Sequence, residues 1–201
     1  ELLAFGTLLV ELLGNLLVGI GMQEATGIVP DPAWKEENVG EAWYRGDAVN
    51  MGIGQGYVTA TPIQITNAYS ALSLTGVLRK PLLITRVGTA GQAAFQEFVA
   101  EEIRPLPASQ GTLDAVRYGL YLVTQGSGGT SYQAWLGTSV DVAGKSGTAE
   151  DMSQGSHHVF FVAYANRSDP SIVALGALEE GESGSAEVAP MLRRILEAYI
   201  G

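Results

Sequence analysis

The sequence predicts an α+β fold, an antiparallel sheet flanked by helices, within one domain of 201 residues. Three observations point there. Three apolar, β-rich runs, Ser139–Glu150, Val159–Ala165 and Ile172–Glu179, follow one another in the last third of the chain. Only the turn-rich stretches Ser153-Gln154-Gly155-Ser156 and Asn166-Arg167-Ser168-Asp169-Pro170 separate them, and connections that short join antiparallel neighbours. Helical periodicity stands on both sides of this block, the pattern of helices laid against such a sheet.

Taken in order, Leu2 to Ile20 is mostly apolar, but Glu11, Asn15 and several glycines interrupt it. Its leucine pairs at 8–9, 12–13 and 16–17 recur every four residues, which fits a helix in a core better than a membrane span of roughly 20 apolar residues. Residues 23–50 are turn-rich, with Pro30, Pro32, Trp34, Trp43 and Tyr44, and read as a long loop packed over the body. The glycine-punctuated Asn50–Tyr57 leads to Thr61-Pro62-Ile63-Gln64, a capping box with proline at the first helical position. Ile65, Ala68, Tyr69 and Leu72 follow at helical spacing, and Gly76 closes that helix. Residues 82–104, including Leu83–Val87, read as strand and turn. A second helix is predicted over Thr112–Thr124, with Leu113, Val116, Leu120 and Tyr121 on one face and Gln125–Thr130 turning the chain out. Beyond the glycine-rich 181–185, Val188, Met191, Leu192, Ile195, Leu196, Tyr199 and Ile200 mark a final amphipathic helix that covers one sheet face.

A hydrophobic fraction of 46% is enough for a real core. The net charge of −10, with 11 Lys+Arg, argues against nucleic acid, whose binding depends on neutralising phosphates, and against docking on an anionic membrane. Without cysteine there are no disulfides, thiolate metal sites or cysteine nucleophiles. No start methionine, signal or basic leader is visible, so the chain is expected to be an internal piece of a longer protein.

The chemistry concentrates in Gly144-Lys145-Ser146-Gly147-Thr148-Ala149-Glu150, at the end of the first strand run. Lys145 brings a positive charge for a substrate carboxylate, and Ser146 a hydroxyl that relays protons or holds that carboxylate. Gly147 lets a peptide backbone lie close against the strand. Thr148 offers a backbone N–H where an oxyanion forms in acyl transfer. A phosphate-binding loop is excluded: it needs glycine five positions before Gly144, where Ser139 stands, and a helix after it. His157-His158 invites a metal reading with Glu150 and Asp151, but neighbours on a strand point to opposite faces, so no metal site is assigned. Glu179, Glu180 and Glu182 read as a solvated turn, and Tyr132 and Trp135 as core.

Lys-Ser-Gly is one of three motifs of the penicillin-recognising serine enzymes. Further segments resemble class B penicillin-binding proteins, the peptidoglycan D,D-transpeptidases, in the same order along the chain. These are Glu24–Ile28, Trp43–Asp47, Gly54–Gln64, Gly128-Gly129-Thr130, Val142–Glu150, His157–Tyr164 and the tail to Tyr199. The resemblance covers roughly residues 23–200, and residues 1–22 match it poorly. It implies a penicillin-binding-protein/β-lactamase-like transpeptidase fold. It also implies serine acyl transfer from the D-Ala-D-Ala end of peptidoglycan stem peptides, with β-lactams as acylating mimics. Lys145, Ser146, Gly147 and Thr148 would serve the catalytic site, and Lys145, Ser146 and Thr148 would hold the substrate, with no cofactor. The family works outside the cytoplasmic membrane, anchored there, beside a membrane glycan polymerase.

The family's other two motifs, Ser-x-x-Lys with the nucleophile and Ser-x-Asn, do not occur here. The residues three positions before Lys35, Lys80 and Lys145 are Pro32, Val77 and Val142. Both motifs lie upstream of the Gly-Gln-Gly segment in the family. Residues 1–201 are therefore expected to be the later portion of a transpeptidase domain, inactive alone. Two alternatives stay open, a non-catalytic binding or scaffold module of the same fold and a β-lactamase or β-lactam-sensor fragment.

Overall fold

The computed structural model describes residues 27–89, 93, 96–151 and 156–201. The Leu-rich segment at 2–20 and the turn at 153–155 lie outside the described residues.

The expected loop over 23–50 is corrected to two short helices where the chain is described. Asp31 caps α1 (Pro32–Val39), accepting the Trp34 N–H at 2.7 Å, and Gly40 ends it. In α2 (Arg45–Gly52), the Asp47 carboxylate accepts the Tyr44 N–H at 2.7 Å. Neither helix has an apolar stripe, so periodicity misses both. A buried lysine joins them instead: Lys35 Nζ lies 2.8 Å from Asp47, 3.6 Å from Glu41, and over the Tyr44 and Tyr57 rings at 4.7 and 5.7 Å.

Both arms of the predicted capping box form at the start of α3 (Pro62–Ser73). Gln64 N–H donates to Thr61 Oγ1 at 3.3 Å, and Thr61 N–H to Gln64 Oε1 at 2.8 Å. The chain turns out at Gly76, whose N–H reaches back to the Ala71 carbonyl at 2.9 Å. Four short strands follow, β1 (Val77–Arg79), β2 (Arg86–Val87), β3 (Gln96–Glu97) and β4 (Glu102–Pro105). They form two antiparallel ladders, β1 with β4 and β2 with β3. The strand and turn expected over 82–104 appear as β2, β3 and β4, with Leu83 and Ile84 exposed ahead of β2. The second helix, α4 (Gln110–Gln125), outruns its predicted bounds, capped by Ser109, with Leu113 and Leu120 buried as expected. A single turn, α5 (Tyr132–Trp135), buries Trp135.

The main sheet contains β5 (Val142–Asp151), β6 (Ser156–Ala165) and β7 (Ile172–Leu178), in that order and antiparallel throughout. The first strand starts at Val142 rather than Ser139, because Val140 N–H turns aside to Thr138 Oγ1 at 3.2 Å. A π-helical turn, Gly184–Val188, leads into α6 (Ala189–Ile200). One sheet face packs Val142, Val159, Phe161 and Ala163 against Trp135, Val188, Leu192 and Leu196. The other packs Ala143 and Tyr164 against Leu120, Tyr69, Leu72, Val116 and Tyr121, from α3 and α4. The final helix covers a face as predicted, but with a narrower stripe: Met191, Ile195 and Tyr199, each next in sequence to a residue of the buried or half-buried line Leu192, Leu196 and Ile200, turn away and stay exposed. Among the described residues, no helix is long and apolar enough to cross a membrane.

Candidate active site

Among the described residues β5 is one edge of the main sheet, and its backbone directions follow from one hydrogen bond. Asn166 N–H donates to the Asp141 carbonyl at 2.9 Å, one step beyond the Val142–Ala165 pair, so Asp141 faces β6. In an antiparallel ladder, residues alternate between facing the partner and facing away. The register runs unbroken from Val142 to Asp151, so Val142, Gly144, Ser146, Thr148 and Glu150 turn both N–H and C=O outward.

Three of those outward carbonyls are covered by separate parts of the chain. Thr124 Oγ1, buried at the end of α4, donates to the Val142 carbonyl at 2.5 Å. The Lys145 ammonium donates to the Ser146 carbonyl at 2.5 Å. Gln55 Nε2, from the Gly-Gln-Gly loop, donates to the Thr148 carbonyl at 3.0 Å. The N–H groups of Ser146 and Thr148 face the same way with no partner among the described residues. This edge therefore presents donors and one cation, and suits a ligand rich in carbonyl and carboxylate oxygen.

The predicted site residues meet at this edge from opposite faces of the sheet. Lys145 and Gly147 pair with Val162 and Phe160, and share their face with Ala143 and Tyr164, under α3 and α4. Ser146 and Thr148 pair with Phe161 and Val159, and share the α6 face. The long Lys145 side chain is exposed yet bends back to the edge, and desolvation there pulls its pKa below the ordinary 10.5. Gly147 leaves the strand open on its face, where an added Cβ would meet only the Phe160 side chain, at 3.7 Å. His157 lies opposite Glu150 in the ladder and is exposed, while His158 lies opposite Ala149 and is half-buried.

Two contacts reach this edge from outside its own strand. Gly184, in the π-helical turn, is jammed against the sheet: a Cβ there would lie 2.1 Å from the Phe160 carbonyl and 3.1 Å from that of Gly147. Glu187 anchors this turn by accepting the Glu182 and Ser183 N–H groups at 2.8 Å each, bonds that hold its pKa below the ordinary 4.5. The other is Gln55, 93 residues from its partner in sequence. The glycines around it were a visible signal; Gly184 gave none beyond a glycine-rich turn.

An α+β body that shows a Lys-Ser-Gly edge strand beside covering helices defines the class of the penicillin-recognising fold. The family model of the penicillin binding protein transpeptidase domain matches residues 14–197, reaching back into the Leu-rich segment that the motifs had left out. The chain belongs to this family. It is 30% identical over 197 residues to the peptidoglycan D,D-transpeptidase MrdA of Haemophilus influenzae, covering 90% of this chain and 30% of that protein. It superposes on penicillin-binding protein PBP2 of Pseudomonas aeruginosa with a TM-score of 0.76 and 29% identity, over 95% of this chain and 42% of that one. PBP2 of Helicobacter pylori in its complex with MreC matches at a TM-score of 0.73 and 27% identity, over 94% of this chain and 34% of that one. The chain thus spans about a third of the length of the curated relatives it matches.

Proposed function

We propose that this chain forms the β5 side of the active site of a peptidoglycan D,D-transpeptidase that cross-links stem peptides. The observation that carries the reading is the outward edge of β5, where the N–H groups of Ser146 and Thr148 have no partner among the described residues and lie beside the Lys145 cation. A peptide ending in D-Ala-D-Ala offers matching groups. Its carboxylate lies towards Lys145 and Ser146, and the carbonyl under attack points its oxygen at the Thr148 N–H. In the whole protein, a serine of a Ser-x-x-Lys segment bonds to that carbonyl carbon. The peptide C–N bond breaks, and the terminal D-Ala leaves with a proton on its new amine. An amine from a neighbouring stem peptide then takes the acyl group and frees the serine. The Thr148 N–H stabilises the oxyanion, the kind of contribution that is usually largest in such chemistry. β-Lactams acylate the same serine.

The protein acts on the outer side of the cytoplasmic membrane, anchored there, with partners of the kind seen for PBP2. The relative from Helicobacter pylori was solved with MreC, and a further structural neighbour comes from a peptidoglycan synthase complex that coordinates polymerization and crosslinking. A membrane glycan polymerase is the partner that this reading requires.

The test is the second-order rate of acylation of the full-length gene product by a labelled penicillin, with and without Lys145→Ala. Acylation lost in the variant at an unchanged melting temperature supports the reading. A full-length protein that never acylates would return the fold to the binding or scaffold role.

A further inference from the structure

We propose that Gln55 stands in for the ligand's own backbone N–H at Thr148, and that a bound peptide displaces it, which makes Gln55 a specificity-determining residue. The proposal rests on the reading of the β5 edge as the peptide site. Thr148 turns both its N–H and its C=O to that edge. An extended ligand residue that pairs antiparallel there accepts from the Thr148 N–H with its carbonyl and donates its own N–H to the Thr148 C=O. The residue under attack therefore brings a donor to the acceptor that Gln55 Nε2 occupies at 3.0 Å.

The local backbone suits a placeholder. Gln55 lies between Gly54 and Gly56, at φ values of +75° and +79°, a conformation that other residues rarely adopt. The chain around this trio is fixed. Gln55 N–H donates to the Asn50 carbonyl at 2.9 Å, the Tyr57 ring lies 5.5 Å from that of Trp34, and Thr59 exchanges backbone hydrogen bonds with Ile28. The left-handed glycines aim the side chain at β5, and rotation of that half-exposed side chain alone releases the carbonyl. An uncovered acceptor on an edge strand invites pairing with other chains, which gives the resting contact a purpose. Thr124 covers Val142 in the same way, but from a buried position that no ligand reaches.

The experiment uses the full-length gene product and two D-Ala-D-Ala-terminated peptides. One carries the ordinary amide N–H on the residue whose carbonyl is attacked, and the other is N-methylated there. The readout is D-Ala release at low substrate, giving kcat/KM for wild type, Gln55→Met and Gln55→Asn, with melting temperatures alongside. Gln55→Met keeps length and removes the donor, so kcat/KM for the N–H peptide is expected to rise about 2- to 10-fold, the range of one net hydrogen bond. The N-methyl peptide should stay within about twofold, because it never competed for that carbonyl. Gln55→Asn, too short to reach, should follow Gln55→Met. An equal shift for both peptides, or a slower N–H peptide at an unchanged melting temperature, would overturn the placeholder role and leave the transpeptidase reading intact. If neither peptide releases D-Ala from any variant while the proteins stay folded, both readings fall.

Discussion

β5 and β6 are adjacent strands of ten residues each, yet they are built for opposite ends. β6 has a strand on either side and a helical layer on each face, and Val159 and Phe161–Ala165 are all buried. Its run Val-Phe-Phe-Val-Ala-Tyr-Ala is accordingly apolar without alternation. β5 is an edge: Lys145 and Thr148 are exposed, its small residues leave room, and three of its outward carbonyls are covered one by one. A central strand spends its backbone groups on its neighbours, and only an edge keeps N–H groups for a ligand. On the proposed function, stability and chemistry are divided across a single ladder, about 4.8 Å apart.

The largest expected effect tests the stability half of that division. Phe161→Ala empties a space beside Trp135, whose ring centre lies 6.0 Å away, and should cost about 3–5 kcal/mol in urea unfolding. A cost below about 1 kcal/mol would mean that this core does not hold the sheet.

The complementary change on the edge is Lys145→Ala in the full-length protein. Acylation should fall roughly 30- to 1000-fold, about 2–4 kcal/mol, with the melting temperature unmoved. Lys145→Arg should rescue only in part, since its planar charge has a different reach. A loss under about threefold would remove Lys145 from the site.

Gly184→Ala lies between the two halves, because its new methyl pushes on Phe160 of β6 and Gly147 of β5 together. About 1–3 kcal/mol of stability should go, with slower acylation in the remaining folded protein. Unchanged rate and stability would show that the turn gives the edge no support. Thr61→Ala is remote from β5 and should cost about 1 kcal/mol, the value of a lost helix cap, with no change in acylation rate.

The smallest effect is a pH dependence far from the edge. The hydrogen bond from Lys35, then that from the Tyr44 N–H, holds the Asp47 carboxyl below the ordinary 3.8. A depressed carboxyl contributes stability above its unfolded value and loses it as pH falls through the folded one. The melting temperature of wild type should therefore exceed that of Asp47→Asn at neutral pH, and the gap should close below pH 3.8. Lys35 is raised by the same bond, so its contribution lasts until pH rises past the folded value, above 10.5. A gap independent of pH would mean that the pair is not ionic.

The local rules of the chain alone determine much of this protein. Thr61-Pro62-Ile63-Gln64 specifies its cap because all the partners lie within one turn. Apolar strand runs with short turns specify the antiparallel sheet, and the proposed chemistry rests on Lys145-Ser146-Gly147-Thr148. The helices α1 and α2 were half legible: Asp31-Pro32 and Gly40 mark the ends of α1, but a stripe-less helix tied by one buried lysine gives no period to read. Only the tertiary structure decided that β5 lies at an edge, which way the Thr148 peptide faces, and that Gln55 and Gly184 reach the motif from distant segments. Periodicity reports what one face of one element meets. Which backbone groups stay unpaired depends on every neighbour in space, and that is settled when the layers pack.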